Sequence, residues 1–315
     1  MRILRIFDVS SFIHVGKIIK HAGFEGEPVR TNKGYAPTHI PTGGVSFLFN
    51  MVYNYYKDES NVLVFAFDRD PLFRKRIEPK YKSNRIYNSA TEIQKFIAEH
   101  VLFDCGFNVC FAERYEADDI IYTICQKYKD DFDVIYIHTN DSDVYVNVDS
   151  KTTIYPVRKT DKLITFDNYE TAVSPGRMVP YNTCNFYKMI YGDTSDCYDG
   201  LSQVKQEKLL RMLRMTNDLP KFGNTDIMLN ILKFLDDQEI IDKCYLAYPQ
   251  LVNTDIDIYI QPDPVHITVW GHYVGNKSFP FRDVDLSHPT TRKILKYIQD
   301  LLTKTWKETL NETYI

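Results

Sequence analysis

The sequence is short of the residues that mark several common protein classes. None of its six cysteines, Cys105, Cys110, Cys125, Cys184, Cys197 and Cys244, forms a C-x-x-C pair, so neither a cysteine zinc site nor a dithiol redox motif is legible. Several lie in apolar runs, which implies free thiols in a reducing compartment. The eight histidines are scattered without zinc-ligand spacing. No apolar run approaches the length of a membrane span, and Asp8 interrupts the stretch where a signal peptide would need one. An intracellular, soluble, cytoplasmic protein is therefore expected. Positive charge is not in excess either. A formal net charge of -4 excludes a globally basic, histone-like binder but leaves room for local basic patches. No internal repeat or low-complexity segment stands out. With 315 residues, 44% hydrophobic and 25% charged, the chain can bury a full core in one large domain or two.

What is present is acid, in a pattern. Glu116, Asp118 and Asp119 fall within four positions and lead into the stripe Ile120, Ile121, Ile124, Cys125 and Tyr128, the spacing of a buried helix face. The acids then occupy the first helical turn, where the helix dipole tolerates negative charge. A capped helix start accounts for one or two of them with no function attached. Three other segments read as buried strands, and each runs into an aspartate. Ile3 to Phe7 ends at Asp8, Val62 to Phe67 at Asp68, and Val134 to Asn140 at Asp141, with Asp143 two residues on. Strands alternating with helical patterns predict a parallel α/β sheet, which binds ligands outside the carboxyl ends of its strands. Acids gathered at that edge repel one another unless cations join them. Hard oxygen ligands at this density suit Mg²⁺ or Mn²⁺ better than zinc.

The rest of the chain is read in order. A helix is expected over Ser10–Ala22, a loop over Gly23–Pro41 and a helix from about Thr42. Ser89-Ala90-Thr91-Glu92 forms a capping box that opens another helix. Further strands are expected over Phe107–Ala112, 152–157 and 163–166. Helices are expected over 205–215, 226–241 and Pro289–Trp306, and a hairpin over Ile256–Val274. Between Arg69 and Arg85 lies the most basic stretch: Arg69, Arg74, Lys75, Arg76, Lys80, Lys82 and Arg85 against Asp70 and Glu78, with Phe73, Tyr81 and Tyr87 close by. Cations mixed with aromatics suit a nucleic-acid strand, the charges taking phosphates and the rings stacking on bases. A solvated surface segment is the bland alternative. Asp193 and Asp196 add two spaced acids after a helix-like stretch.

Taken together, Asp8, Asp68, Glu116-x-Asp118-Asp119, Asp141-x-Asp143 and Asp193-x-x-Asp196 resemble the ordered acids of the 5′ nuclease superfamily. That family includes flap endonucleases, the 5′ nuclease domain of bacterial DNA polymerase I and phage enzymes of the ribonuclease H or 5′-3′ exonuclease type. Phe73-Arg74 with Pro79-Lys80-Tyr81-Lys82-Ser83-Asn84-Arg85, Pro41-Thr42-Gly43-Gly44-Val45, Thr139-Asn140-Asp141-Ser142-Asp143 and Gly192-Asp193-Thr194-Ser195-Asp196 are similar to further family motifs. The match spans roughly residues 3–205. It implies a PIN-like core, with a mainly parallel central sheet flanked by helices and a helical C-terminal region. It divides the chain into a nuclease core over 1–185, with a strand-binding segment over 69–104, a duplex-binding region over 186–245 and an extension over 246–315.

The resemblance also implies two Mg²⁺ ions, with Mn²⁺ as a substitute. Asp8, Asp68, Glu116 and Asp118 would hold the first. Asp119, Asp141, Asp143, Asp193 and Asp196 would serve the second or its surroundings. Lys82 and Arg85 would clamp the scissile phosphate. Arg69, Arg74, Lys75, Arg76, Lys80 and Tyr81 would contact the strand, and Lys205 and Lys208 the duplex. The implied substrate is DNA with a 5′ flap, nick or end, or an RNA–DNA hybrid. A monomer is expected, without membrane attachment, and replication proteins are candidate partners of the C-terminal region. Where the family usually has a glycine-rich turn, this chain reads Cys197-Tyr198-Asp199-Gly200-Leu201-Ser202-Gln203-Val204, which implies a weaker grip on duplex. Some phage members are degenerate at the same place, which points to a phage source. Two other readings stand beside this one. Asp68-Arg69-Asp70, Lys188 and Gly192-Asp193-Thr194-Ser195-Asp196 imitate a haloacid-dehalogenase-type phosphatase, and an inactive nucleic-acid-structure binder is the third class.

Overall fold

A computed structural model of the chain describes residues 1–16, 24–25, 30–31, 34–35, 39–40, 43–55, 58, 60–86, 88–104, 107–157, 162–168, 170–174, 177–216, 236–249, 259–260, 268–269 and 272–273. The strands that matter for function are β1 (Ile3–Asp8), β2 (Asn61–Ala66), β3 (Asn108–Phe111), β4 (Val134–His138) and β5 (Thr152–Tyr155). They lie side by side in the order β3-β2-β1-β4-β5, with Tyr259–Ile260 antiparallel on the outer edge of β3. β1 pairs parallel with both β2 and β4, and β4 with β5. The fold is thus α/β with a mainly parallel sheet. Strand order reverses between β1 and β4, so the crevice for a ligand opens at the carboxyl ends of those two strands.

The chain falls into two compact units. One comprises residues 1–8, 60–87 and 109–260, and the other 9–59, 88–108 and 261–315. In the first unit, Leu4, Ile6, Val64, Ala66, Ile135, Ile137 and Ile154 are buried in the sheet against Ile120, Ile121 and Ile124. Those three isoleucines come from the helix Ala117–Tyr128. Each such side chain contributes about 1.5–3 kcal/mol on burial. A second core in this unit joins Tyr81, Tyr122, Phe186, Met189, Ile190, Leu209, Ile240 and Cys244. In the second unit, the helices Val9–Gly16 and Gly43–Tyr55 meet where a Cβ on Gly16 would lie 2.3 Å from the Gly44 Cα. Only glycine permits that approach, which gives the Gly43-Gly44 pair of the P-T-G-like motif a packing reason.

Several expectations shift. The helix after β1 is described as Val9–Gly16, and the remainder to Ala22 lies outside the described residues. The expected loop over 23–41 contains two short antiparallel pairs, Phe24–Glu25 with His39–Ile40 and Arg30–Thr31 with Gly34–Tyr35. The helix Ser89–Asp104 is capped one residue earlier than expected, because Asn88 Oδ1 accepts the Thr91 amide at 3.3 Å. The strand over 163–166 is reduced to one bridge between Ile164 and Ile154. Of the helix expected over 226–241, the described part begins only at Gln238, and Asp237 caps it by accepting from the Glu239 and Ile240 amides. Within Ile256–Val274, Thr268–Val269 pairs with His272–Tyr273, while Tyr259–Ile260 joins the main sheet instead. The helix expected over Pro289–Trp306 lies outside the described residues.

Candidate active site

Helices of the first unit are α1 (Leu72–Ile77), α2 (Ala117–Tyr128), α3 (Cys184–Tyr191), α4 (Gln203–Thr216) and α5 (Gln238–Ala247). Asp8 ends β1, Asp68 follows β2 by two residues, and Asp141 and Asp143 follow β4. Glu116 and Asp118 stand at the start of α2. Asp68 Oδ1 accepts the Ala117 amide at 2.9 Å, which pins the first turn of α2 beside the end of β2. Thr139 joins the central strands: its hydroxyl donates to Asp8 Oδ2 at 2.7 Å and accepts the Asp141 amide at 2.9 Å. The Asp143 amide in turn donates to Asp141 Oδ1 at 3.0 Å.

Asp118, Asp141 and Asp143 form the centre of this group. Each offers one carboxylate oxygen, and the three oxygens lie within 4.8 Å of one another. Burial, then the charges of Asp141 and Asp143, push the Asp118 carboxyl well above the ordinary carboxylate range. Burial and the neighbouring Asp143 raise Asp141 from the usual 3.8 to about 7. Three acids held together against their own repulsion are the donor set that a hard divalent cation fits.

Around this centre the other acids, and Asp143 on its edge, are matched with cations. Lys82 Nζ contacts Glu116 Oε1 and lies 3.6 Å from Asp196 Oδ2, and Arg85 Nη2 donates to Asp196 Oδ1 at 2.9 Å. Tyr81 Oη donates to Glu116 Oε2 at 2.9 Å and reaches Asp196 Oδ2 at 3.1 Å. Burial alone would raise Glu116, but Lys82 and Arg74 outweigh it and hold the carboxyl low. Asp196 moves the other way: burial and nearby Asp143 and Glu116 raise it despite Lys82 and Arg85. Lys188 on α3 contacts Asp143 Oδ1 and reaches Asp193 Oδ2 at 2.8 Å. Burial opposes the charge on Lys188, yet Asp143 and Asp193 keep its pKa well above the ordinary value.

The turn carrying Asp193 and Asp196 folds back tightly on the end of α3. A Cβ on Gly200 would lie 2.2 Å from the Ile190 carbonyl oxygen, so no other residue fits without moving the backbone. The basic segment docks on the same turn: the Lys82 amide donates to the Asp196 carbonyl at 2.8 Å, and Asn84 Nδ2 to the Ser195 carbonyl at 3.2 Å. Lys82 has φ of 55°, a left-handed conformation that costs a non-glycine residue about 1 kcal/mol or more. These anchors hold it there.

Residues 18–173 match the family model of the 5′-3′ exonuclease N-terminal, resolvase-like domain. The chain belongs to the 5′ nuclease superfamily. It is 26% identical over 220 residues to a 5′-3′ exonuclease of Mycoplasma pneumoniae, covering 64% of this chain and 70% of the relative. It is 24% identical over 278 residues to a 5′-3′ exonuclease of Aquifex aeolicus, covering 85% and 87%. Among solved structures, the T5 5′-exonuclease with bound zinc is similar at 17% identity with a TM-score of 0.45, over 78% of this chain and 84% of that one.

Membership of the 5′ nuclease superfamily leaves each residue's role to the geometry, which corrects several expectations. Asp118 groups with Asp141 and Asp143, a set that the two-ion division had split. Asp119 is 0% exposed, and its two oxygens accept from Arg74 Nη1 and Nη2, both at 2.8 Å, so it braces the site instead of facing an ion. Arg74 is 2% exposed and cannot track a strand. The Tyr81 ring is buried at 3% and cannot stack on a base. Lys205 does not present a free charge to duplex, because its ammonium lies 2.7 Å from both Asp237 and Glu239.

Lys75, Arg76, Lys80 and Lys208 are exposed, Lys75 paired with Asp70 and Arg69 lying 3.9 Å over the Phe111 ring. The phosphatase-like reading loses its second aspartate, since Asp70 is exposed and turned to Lys75. Thr139 and Lys188 were assigned no role by the nuclease reading of the sequence. A signal existed for Lys188: it is a lone cation on a helix otherwise lined by Phe186, Met189 and Ile190. The described cysteines, Cys110, Cys125, Cys184, Cys197 and Cys244, are free thiols. Among the described residues no helix is long and apolar enough to cross a membrane.

Proposed function

We propose that the chain is a divalent-metal-dependent 5′ nuclease that hydrolyses phosphodiesters of DNA or RNA–DNA from or near a 5′ end. The observation that carries the reading is the convergence of Asp118, Asp141 and Asp143 to within 4.8 Å. A divalent ion held there would polarise a phosphate oxygen and lower the pKa of a bound water. Lys82 and Arg85, beside this centre, would receive the scissile phosphate. Both now face acids, so engaging a phosphate means exchanging Glu116 and Asp196 for phosphate oxygens, charge for charge. Exposed Lys75, Arg76 and Lys80 would guide the strand towards them, and Lys208 would meet duplex. A second ion, as the family resemblance implies, has to displace a resident cation: Lys82 from Glu116 and Asp196, or Lys188 from Asp143 and Asp193.

The test is a digest of end-labelled 5′ flap, nicked duplex, RNA–DNA hybrid and single strand, with Mg²⁺ or with EDTA. Short products from the 5′ end, abolished by EDTA, are expected. Hydrolysis of small phosphomonoesters with no attack on phosphodiesters would overturn the reading.

A further inference from the structure

The last turn of α5 leaves backbone carbonyls without helical partners, as every helix end does. Here they are taken by two side chains that reach into the candidate active site. Arg74 Nε donates to the Tyr245 carbonyl at 3.1 Å, and Arg74 Nη2 to the Tyr248 carbonyl at 2.9 Å. Asn185 Nδ2 donates to the Ala247 carbonyl at 2.6 Å.

The same two side chains also bond to acidic residues of the site. Arg74 Nη1 donates to Glu116 Oε2 at 2.7 Å, and Nη1 and Nη2 grip Asp119. Asp119 Oδ2 accepts the Glu116 amide at 3.0 Å, so Glu116 is fixed through its side chain and its backbone. Asn185, 0% exposed, also donates to the Asp143 carbonyl at 3.0 Å. A guanidinium has five N–H donors, and all five of Arg74 are used. A lysine could not span two carboxylates and two carbonyls, because it lacks the planar fork. The negative end of the α5 dipole favours the guanidinium as well.

We propose that residues 245–248 anchor the active site and that Arg74 is the positioning residue that carries this anchorage to Glu116. The proposal rests on the nuclease reading, and it goes further. The family-model match stops at residue 173, whereas the anchor begins at Tyr245, 72 residues beyond it, where the sequence suggests only contacts with duplex or partner proteins. The C-terminal part of the first unit is then a structural component of the catalytic centre.

Two measurements on the full chain test this. In the first, kcat and KM of Arg74→Lys, Glu116→Gln and the double variant are compared on a flap substrate at saturating Mg²⁺. Arg74→Lys should lower kcat about 10- to 100-fold with little change in KM. The double variant should be no slower than Glu116→Gln alone, because the Arg74 effect passes through Glu116. Losses that multiply, or an unchanged kcat in Arg74→Lys, overturn the proposal. If Arg74→Lys does not fold, Asp119→Asn crossed with Glu116→Gln takes its place, with the same expectations.

The second measurement is hydrogen exchange, which needs no activity. Arg74→Lys should speed exchange in 115–120 and in 244–249 together, leaving β1 and β4 protected. Loosening of only one of the two segments, or of neither, overturns the anchorage. Absence of metal-dependent cleavage by the wild type would sink the nuclease reading alone, and the exchange data would still decide the role of Arg74.

Discussion

Asp141→Asn should stabilise the metal-free protein, and the gain should depend on pH. In the folded chain Asp141 titrates near 7 instead of the usual 3.8, because burial and Asp143 both disfavour its charge. The sign follows from linkage. A carboxyl whose pKa is raised by folding binds its proton more tightly in the folded state. Folding is therefore most favoured at low pH, and this contribution is lost as pH rises from about 4 to about 7. The difference of roughly 3 pKa units corresponds to a ceiling of about 4 kcal/mol at pH 8. Asp141 is only half-buried, so water screens part of the repulsion, and about half of that ceiling is expected.

Asparagine keeps the shape and removes the charge. At pH 8 in EDTA the variant should then melt roughly 4–8 °C above the wild type. At pH 5 the gap should shrink to about two-fifths of this, since the folded carboxyl is by then protonated while the unfolded one is still largely ionised. Mg²⁺ at pH 8 should reverse the order, raising the wild-type Tm and leaving the variant nearly unmoved. Melting curves at both pH values, with EDTA or Mg²⁺, check all three. Equal melting gaps at pH 5 and pH 8 would refute the argument that Asp141 is held against its neighbours' charge.

Three further outcomes follow from the same geometry. Lys82→Ala and Arg85→Ala should mainly lower the single-turnover cleavage rate, whereas Lys75→Ala should weaken binding and reduce its salt slope by about one unit; a Lys82→Ala variant changed in affinity alone would remove Lys82 from catalysis. Calorimetric titration with Mn²⁺, without nucleic acid, should give about one ion per chain, and Lys188→Met should admit a second beside Asp143 and Asp193; two ions in the wild type would show that Lys188 does not hold that place. Duplex affinity should respond little to exchanging K⁺ for Li⁺ at constant ionic strength, because Ser202, Gln203 and Val204 stand where a glycine-rich turn would let backbone carbonyls approach a cation; a marked K⁺-specific gain would show an ordered cation site after Asp196.

The acidic edge was legible in the sequence for a physical reason. A buried parallel strand is an uninterrupted apolar run, so an aspartate at its end stands out and has few non-functional explanations. Asp8, Asp68 and Asp141 were found in this way, and β1, β2 and β4 carry them to one end of the sheet. The helix behind Glu116 was legible because Ile120, Ile121 and Ile124 keep the period of a buried face. Boundaries were less legible. Asn88 caps a helix for which Ser89 and Glu92 form a capping-box pattern, since either residue type can accept the same amide.

Pairing was not legible at all. Arg74 and Lys75 are adjacent members of one basic run, and nothing local separates them. One is buried among acids and carbonyls, the other exposed beside Asp70. The partners that decide this lie 42 residues away at Glu116 and 171 residues away at Tyr245. The cost of error is also unequal. Moving an exposed lysine changes little, whereas a guanidinium buried without Glu116 or Asp119 would cost about 3–5 kcal/mol. A basic segment that reads as a surface for phosphates therefore contains the ion pair that the site can least spare. Charge counting along the chain sees the cations, and only the fold shows which of them the protein keeps for itself.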